Sequence, residues 1–440
     1  MQIEKYGFRI ICSSAFDLFI FIFLLIFFNS INDFKINNIL NLAILLWIFL
    51  SYIFGRYHDF RNINIKVIIK NTLKSLLLSL VLVINCFFSE RLLIFNSYNI
   101  NTIKDLSYFY FFYGLLSSVI NLLFNFYFYK TKANKKCFVL ESNKLLKYLK
   151  DDNIESLDFL LNNLIIIENI TDINTKNLDN ISGIILEKNK VLNREQEKII
   201  MSIKAKGIHP ISNFEWCEKF LYRIPPIILV EEFNTIIYPK ANIFQQRIKK
   251  INEIIVSILI LLFSSPVVIL AAFLIYREDK GSIFYSQIRK GLYGKNIRIF
   301  KLRTMKLNSE KNGVQWSQQN DKRVTKIGYF LRKTRIDEIP QLISVLKGEM
   351  SLIGPRPERP EIDNDLKKNI PCYENRYNIK PGISGWAQVN YPYGASVQDS
   401  YNKLSYDLFY VRNCSIFIDL LILFKTIRVV MKYENASFNS

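Results

Sequence analysis

The chain has 440 residues, half of them apolar, and carries 58 lysines and arginines against 38 aspartates and glutamates, a formal charge of +20. Only His58 and His209 are histidines, which argues against a histidine triad or relay, and the six cysteines lie scattered with no CxxC, which argues against a disulfide frame or a zinc site. Chemistry must then rest on carboxylates, cations and a metal.

Four apolar stretches come first, about 13–29, 38–54, 70–88 and 107–129, each near the ~20 residues that cross a bilayer core. The first is too long for a signal peptide and lacks a cleavage pattern, so an anchor is expected. Lys5 and Arg9 precede the first stretch, Arg56, Arg61 and Lys66 follow the second, and Lys130, Lys132, Lys135 and Lys136 follow the fourth. The loops around Asn32 and Glu90 are nearly balanced, so positive-inside bias puts both ends of this unit in the cytoplasm. Asp17, inside the first stretch, is expected to face the bundle or to snorkel.

From Cys137 to about Lys240 short apolar runs alternate with polar helical segments, which predicts a small α/β domain with a mainly parallel sheet. Its first strand runs into Glu141-Ser142-Asn143, so the glycine-rich phosphate fingerprint is missing. A regulatory or packing module is expected there.

Ile254 to Tyr276 is free of charge and long enough to cross a membrane, yet basic residues flank both of its ends. Ser265-Pro266 sits near the middle, where proline removes a backbone hydrogen bond and bends the helix. A helix that dips in and returns accommodates both facts; the alternative is a kinked fifth span.

The densest motifs follow. They are Lys301-Leu302-Arg303-Thr304-Met305, Arg332 to Leu342 around Asp337-Glu338, Gly354-Pro355-Arg356-Pro357, and Pro381-Gly382-Ile383-Ser384-Gly385-Trp386. Asp337 and Glu338 suit the first turn of a helix, where acids meet its positive end and Thr334 with Asp337 could form a capping box. Lys301, Arg303, Arg332 and Arg356, beside turn-forming glycines and prolines, favour phosphate binding instead. Neighbouring residues on a helix diverge by about 100°, so one carboxylate can attack while the other holds a cation.

From about Gln246 to Met431 these motifs, in this order, resemble the bacterial sugar transferase family, the monotopic polyprenyl-phosphate phosphoglycosyl transferases. The four-span front end resembles the long forms that initiate exopolysaccharide, capsule or O-antigen units. The resemblance implies an α+β membrane protein: a transmembrane bundle at 1–133, a Rossmann-like α/β domain at 134–240, and a catalytic domain at 241–440 that opens with a re-entrant helix at about 251–276, bent at Ser265 and Pro266. It implies Asp337 as nucleophile and Glu338 as ligand to Mg²⁺. Lys301, Arg303, Arg332, Arg356 and Asp419 would hold substrate or phosphate. Asp419 is also placed to cap the final helix. The implied partners are a UDP-sugar, undecaprenyl phosphate and membrane lipid, with no nucleic acid and with further copies of the chain left open; the implied site is the bacterial inner membrane, soluble domains inside. Arg335 departs from the family pattern, where a small hydroxyl residue is common. Trp386, Tyr391, Tyr393 and Tyr401 suit either an interfacial belt or packing.

Two rivals remain open on sequence. Asp363-Asn364-Asp365 has the Asp-x-Asp spacing of metal-dependent glycosyltransferases, a weak pattern in a chain rich in Asn and Asp. A membrane receptor or assembly factor with a cationic domain is the other. A sugar-nucleotide dehydratase is disfavoured because no GxxGxxG run occurs.

Overall fold

The computed structural model describes residues 2–32, 38–53, 56, 73–81, 84, 108–123, 136–140, 145, 148–149, 164–167, 169–172, 181–187, 191–232, 236–307, 309, 321–392, 394 and 396–432. His58, the loops after Asn32 and around Glu90, the basic loops at 61–66 and 130–135, Glu141 to Asn143, and Tyr393 lie outside them. The chain divides into two compact units, Met1–Leu186 with Lys190–Ile211, and Glu187–Asn189 with Ser212–Ser440. The architecture is mixed, with helical and α/β parts.

In the first unit α1 (Gln2–Asn32), α2 (Asn38–Ile53), α3 (residues 73–81) and α4 (Tyr108–Leu123) are helical. Phe21, Leu24, Trp47, Leu78, Phe109 and Tyr113 form one buried cluster, with Phe21 edge-on to both Phe109 and Tyr113. Asp17 is buried at its side. Trp47 Nε1 donates to its Oδ2 at 3.1 Å, Arg56 Nη1 to the same oxygen at 3.0 Å and Asn121 Nδ2 to Oδ1 at 3.1 Å, and Ser117 Oγ donates to Oδ1 as well. Asp17 therefore faces inward, because an ion among apolar helices needs a counter-charge and hydrogen bonds.

Later in the same unit β1 (Lys136–Leu140) lies parallel to β2 (Leu164–Ile167) and to β3 (Ile181–Leu186). With β4 (Pro210–Ser212) the sheet order is β2-β1-β3-β4. Ile184 packs with Ile200 and Ile203 of α5 (Arg194–Ala205), whose start is closed by a reciprocal Asn193–Gln196 capping box. His209 is exposed.

In the second unit, residues 213–232 and 236–240 form a strap that begins with α6 (Asn213–Trp216) and carries α7 (Pro226–Glu231). By sequence they belong with the preceding strands; in the fold they pack with the C-terminal motifs. Glu218 Oε1 accepts from Lys240 Nζ at 2.9 Å and from Arg412 Nε and Asn413 Nδ2 at 2.8 Å. Ile224 N donates to Ser405 O at 2.7 Å, and Trp386 Nε1 to Tyr222 O at 2.9 Å.

The strap leads into α8 (Ile243–Asp279), 37 residues opened by an Asn242–Gln245 capping box. It is the one helix among the described residues long and apolar enough to cross a membrane. Leu262, Phe263 and Ile269 on its middle are 65%, 78% and 68% exposed. Pro266 has no N–H for the carbonyl of Leu262, and the Ser265 hydroxyl donates to that carbonyl at 2.8 Å. Both ends of α8 are tied to the same unit. Near its start Lys249 Nζ donates to Tyr410 Oη at 2.7 Å and pairs with Asp419 at 3.1 Å, and Glu253 accepts from Ser351 Oγ. At its end Asp279 pairs with Arg303, while Ala271 and Ile275 are buried against Leu302 and Leu331.

Next come β5 (Phe284–Lys290) and β6 (Asn296–Leu302), an antiparallel hairpin in which Tyr285 faces Lys301. After α9 (Lys326–Thr334), a 3-10 turn (Ile336–Gln341) and α10 (Leu342–Leu346), strand β7 (Ser351–Ile353) pairs in parallel with β8 (Gly382–Ser384). A Cβ on Gly382 would stand 2.0 Å from Gly354 N, and one on Gly354 2.3 Å from Lys380 O. The Gly-Pro-Arg-Pro and Pro-Gly motifs are therefore two faces of one close backbone crossing that only glycine permits. Then α11 (Pro360–Asn369) and a second 3-10 turn (Tyr373–Asn378) precede β8; α12 (Trp386–Asn390), α13 (Val397–Asn413) and α14 (Ile416–Lys432) follow it.

Candidate active site

Local sequence delivers the acidic pair in a specific way. Helix α9 ends at Arg335, which adopts the left-handed conformation at φ 60° although it is not glycine. The chain then turns sharply, and Pro340 tightens the 3-10 segment that follows. Thr334 does not cap it: its hydroxyl donates back to Phe330 O at 2.9 Å and Leu331 O at 3.2 Å. At three residues per turn, successive side chains diverge by about 120°. Asp337 and Glu338, both buried, thus meet different surroundings.

Glu338 is held by cations. Lys301 Nζ from β6 and Arg356 Nη2 from the Pro-Arg-Pro loop each lie 2.9 Å from its Oε1, and Arg335 Nη1 lies 3.7 Å away. Burial works against its charge, but Arg356, Lys301 and Arg335 outweigh burial and hold the carboxyl well below the usual range. Asp337 is the opposite case. Its Oδ1 is buried and accepts no hydrogen bond. Burial, with the Glu338 charge added to it, lifts its pKa to about 6, while Lys301, Arg335 and Arg332 pull the other way. Burial also lowers the pKa of Lys301, and the Glu338 charge resists that shift. Two adjacent carboxylates, one fixed as an anion and one with an open oxygen, permit two roles.

Of the residues singled out by sequence, Lys301, Arg356, Asp337 and Glu338 are brought together, and Arg332 lies within electrostatic reach of Asp337 while its Nε donates to Thr304 Oγ1 at 2.8 Å. Arg303 is paired with Asp279, at the end of α8. Asp419, in the first turn of α14, accepts from Tyr410 Oη and pairs with Lys249; the cap of that helix is Ser415, whose Oγ accepts from Ile418 N at 3.3 Å. Neither Arg303 nor Asp419 shows a contact with the acidic pair among the described residues. Trp386 is buried beneath Lys425, whose Nζ is 4.5 Å from the ring centroid, and Tyr391 and Tyr401 bond within the unit, so these three rings pack.

Sequence reasoning left Arg335 out of the site, as a mere departure, and gave no role to Arg289 or Arg376. Arg289 Nη1 donates to Pro357 O at 3.1 Å and Arg376 Nη2 to Arg356 O at 2.7 Å. Their acceptors are main-chain atoms far along the chain, which no local pattern signals.

The Asp-x-Asp rival fares poorly. Asp363 is fully buried on α11 and accepts from Tyr377 Oη, whereas Asp365 is exposed. Two positions apart on a helix they point about 160° away from each other and cannot share an ion.

A metal at Glu338 is compatible with the donor set. No group of three or more His, Cys, Asp or Glu side chains converges among the described residues, which excludes an all-protein cage there. Mg²⁺ commonly takes one or two carboxylates and completes its shell with water and substrate phosphate, and Glu338, whose Oε1 is engaged by Lys301 and Arg356, would offer its other oxygen in that mode.

Residues 244–433 match the family model described as bacterial sugar transferase. Among curated relatives, an Aeromonas hydrophila UDP-N-acetylgalactosamine-undecaprenyl-phosphate N-acetylgalactosaminephosphotransferase is 43% identical over 184 residues, 42% of this chain and 44% of the relative. A Klebsiella pneumoniae UDP-glucose:undecaprenyl-phosphate glucose-1-phosphate transferase is 39% identical over 181 residues, 41% of this chain and 39% of the relative. A Caulobacter vibrioides protein of the same name is 36% identical over 190 residues, covering 43% of this chain and 71% of the relative. The chain belongs to the bacterial sugar transferase family. The matched stretches span less than half the length of the first two relatives, and the family match lies wholly in the C-terminal half of this chain, on the segment that holds the acidic pair.

Proposed function

We propose that the protein transfers a sugar 1-phosphate from a UDP-sugar to undecaprenyl phosphate at the cytoplasmic face of a bacterial inner membrane. One observation carries the reading: Asp337 keeps an unbonded, buried carboxylate oxygen next to a Glu338 engaged by cations, in the same unit as a helix with a long exposed apolar surface.

In the first step Asp337 Oδ1 attacks the sugar-linked phosphorus of the donor. The bond from that phosphorus to the bridging oxygen breaks, and its electron pair leaves with UMP. A phosphosugar ester on Asp337 results. A phosphate oxygen of undecaprenyl phosphate then attacks the same phosphorus, the bond to Asp337 breaks, and the carboxylate is restored with the lipid-linked sugar diphosphate. Lys301 and Arg356 orient Glu338 and present positive charge to the diphosphate; Lys301, Arg335 and Arg332 offset part of the rise that burial and Glu338 impose on Asp337. Mg²⁺ bound at Glu338 would neutralise the diphosphate oxygens and the departing UMP. Arg303 and Asp419 serve the site at a distance, by tethering the two ends of α8.

On this reading α8 is re-entrant. A straight helix of its length runs about 55 Å and crosses a bilayer, which would part its ends. Both ends bind one unit, and Ser265 satisfies the carbonyl that Pro266 leaves open, which matters most in lipid. The apolar stretches of the first unit would be four membrane spans, with the strands and helix that follow them in that unit a Rossmann-like packing or regulatory module that lacks a nucleotide fingerprint.

The test is to incubate the full chain in lipid nanodiscs with undecaprenyl phosphate, Mg²⁺ and a panel of UDP-sugars that includes UDP-N-acetylgalactosamine and UDP-glucose. Release of UMP with a lipid-linked sugar diphosphate is expected. Release of UDP would make the protein a glycosyltransferase, and no transfer from any donor would favour the receptor reading.

A further inference from the structure

We propose that Arg376 is a positioning residue for this reaction: it fixes the main chain of the Pro-Arg-Pro loop and so aims the Arg356 guanidinium at Glu338. The proposal rests on the reading of Asp337 and Glu338 given above.

The loop needs such support. Pro355 and Pro357 lack N–H groups, so the segment cannot join a regular ladder, and its buried carbonyls must find donors elsewhere. Four successive carbonyls each find one. Pro355 O accepts from Gly382 N at 2.9 Å, Arg356 O from Arg376 Nη2 at 2.7 Å, Pro357 O from Arg289 Nη1 at 3.1 Å and Glu358 O from Lys290 N at 2.9 Å. Arg376 therefore grips the very residue whose side chain reaches Glu338 at 2.9 Å.

Arg376 is itself fixed. It is 8% exposed, its Nη2 also donates to Asp407 Oδ2 at 3.1 Å, and its Nη1 donates to Tyr373 Oη at 2.5 Å. A planar guanidinium serves these three acceptors at once, which a lysine cannot do in the same geometry. The 3-10 turn that carries it is pinned from the strap: Ile237 N donates to Asn375 Oδ1 at 2.9 Å, and Asn378 Nδ2 donates to Ile237 O at 2.7 Å. A line of direct bonds thus runs from Ile237 through the Arg376 turn and the Arg356 carbonyl to the Glu338 carboxylate.

The experiment uses the full chain in nanodiscs and compares wild type, Arg376→Met, Arg356→Ala and their double variant. Because Arg376→Met strands the buried Asp407 charge, Arg376→Met with Asp407→Leu is the second variant, which removes both charges together. Two readouts are taken per folded molecule. Arg376→Met should lower kcat/KM by about 10²-fold in the wild-type background but by little in the Arg356→Ala background, since both changes misplace one guanidinium. Amide exchange at Arg356 and Glu358 should quicken by about 10-fold or more, with α5 of the first unit unchanged. A merely structural role would instead lower activity by the same factor in both backgrounds, and that result, or unchanged kcat/KM, would overturn the proposal. If wild type transfers from no UDP-sugar, the functional reading fails and a role in transfer falls with it; the exchange readout then still decides whether Arg376 fixes the loop, unchanged exchange overturning that grip and faster exchange supporting it.

Discussion

Lys301 Nζ and Arg356 Nη2 stand at the same distance, 2.9 Å, from a single oxygen of Glu338. One comes from a strand and the other from a proline-bracketed loop, so the carboxylate is the point where two separately folded elements are joined. Removing either cation leaves a buried anion with half of its close support. Lys301→Met should therefore lower kcat/KM by about 10²–10³-fold, the range seen when a pre-aligned electrostatic partner is lost. Steady-state kinetics of UMP release, with folding checked by thermal denaturation, measures it.

Asp337 must be ionised to attack, and its pKa is lifted to about 6 by burial and by the neighbouring Glu338 charge. The rate should accordingly fall as pH drops through about 6, well above the range of an ordinary aspartate. A pH profile of single-turnover UMP release reads this directly. An acid limb near pH 4 would contradict it.

The same lifted pKa makes a prediction of opposite flavour. A carboxyl that binds its proton more tightly in the folded state costs stability as pH rises from its unfolded value, about 3.8, through about 6. Asp337→Asn removes that cost. The inactive variant should melt higher than wild type at pH 8 and lose this advantage below pH 4, as differential scanning calorimetry across that range would show.

In the first unit Asp17 and Arg56 form an ion pair at 3.0 Å with both side chains almost wholly buried. Breaking such a pair from one side strands a charge. Asp17→Asn should destabilise the helical bundle by about 3–5 kcal/mol, while Asp17→Leu with Arg56→Leu should cost clearly less. Denaturation of the detergent-solubilised chain with each variant completes the comparison.

Replacing both Ser265 and Pro266 by alanine restores a regular hydrogen-bond ladder to the middle of α8. A straightened helix would carry its two ends apart and pull against the Lys249–Asp419 and Asp279–Arg303 ties. Transferase activity should drop, and cysteine labelling should find one flank on the wrong side of the membrane. Normal activity with both flanks cytoplasmic would show the bend to be dispensable.

How far the sequence revealed this site depended on distance along the chain. Asp337, Glu338, Lys301 and Arg356 stand in short motifs whose residue types announce phosphate chemistry, and the fold gathers them. Arg303 shares its motif with Lys301 but sits two positions further on β6 and just past its end, where Asp279 takes it. Arg335 could not be judged from sequence, since its role follows from a left-handed turn that a non-glycine residue rarely adopts. For Asp17 the sequence left two outcomes, an inward face or snorkelling, because the partner that decides it, Arg56, lay in what reads as a loop. The affiliation of residues 213–232 and 236–240 was hidden because the strap bonds through Glu218, Tyr222 and Ile224 to residues far downstream.

That strap bears on modularity. The stretch that matches the family opens at residue 244, yet Trp386, Ser405 and Arg412 inside it lean on groups that precede it. A chimera joined at the edge of that stretch would import the acidic site without its brace, exposing an indole and several polar groups to water. Crossovers placed ahead of Ser212 would carry the brace along.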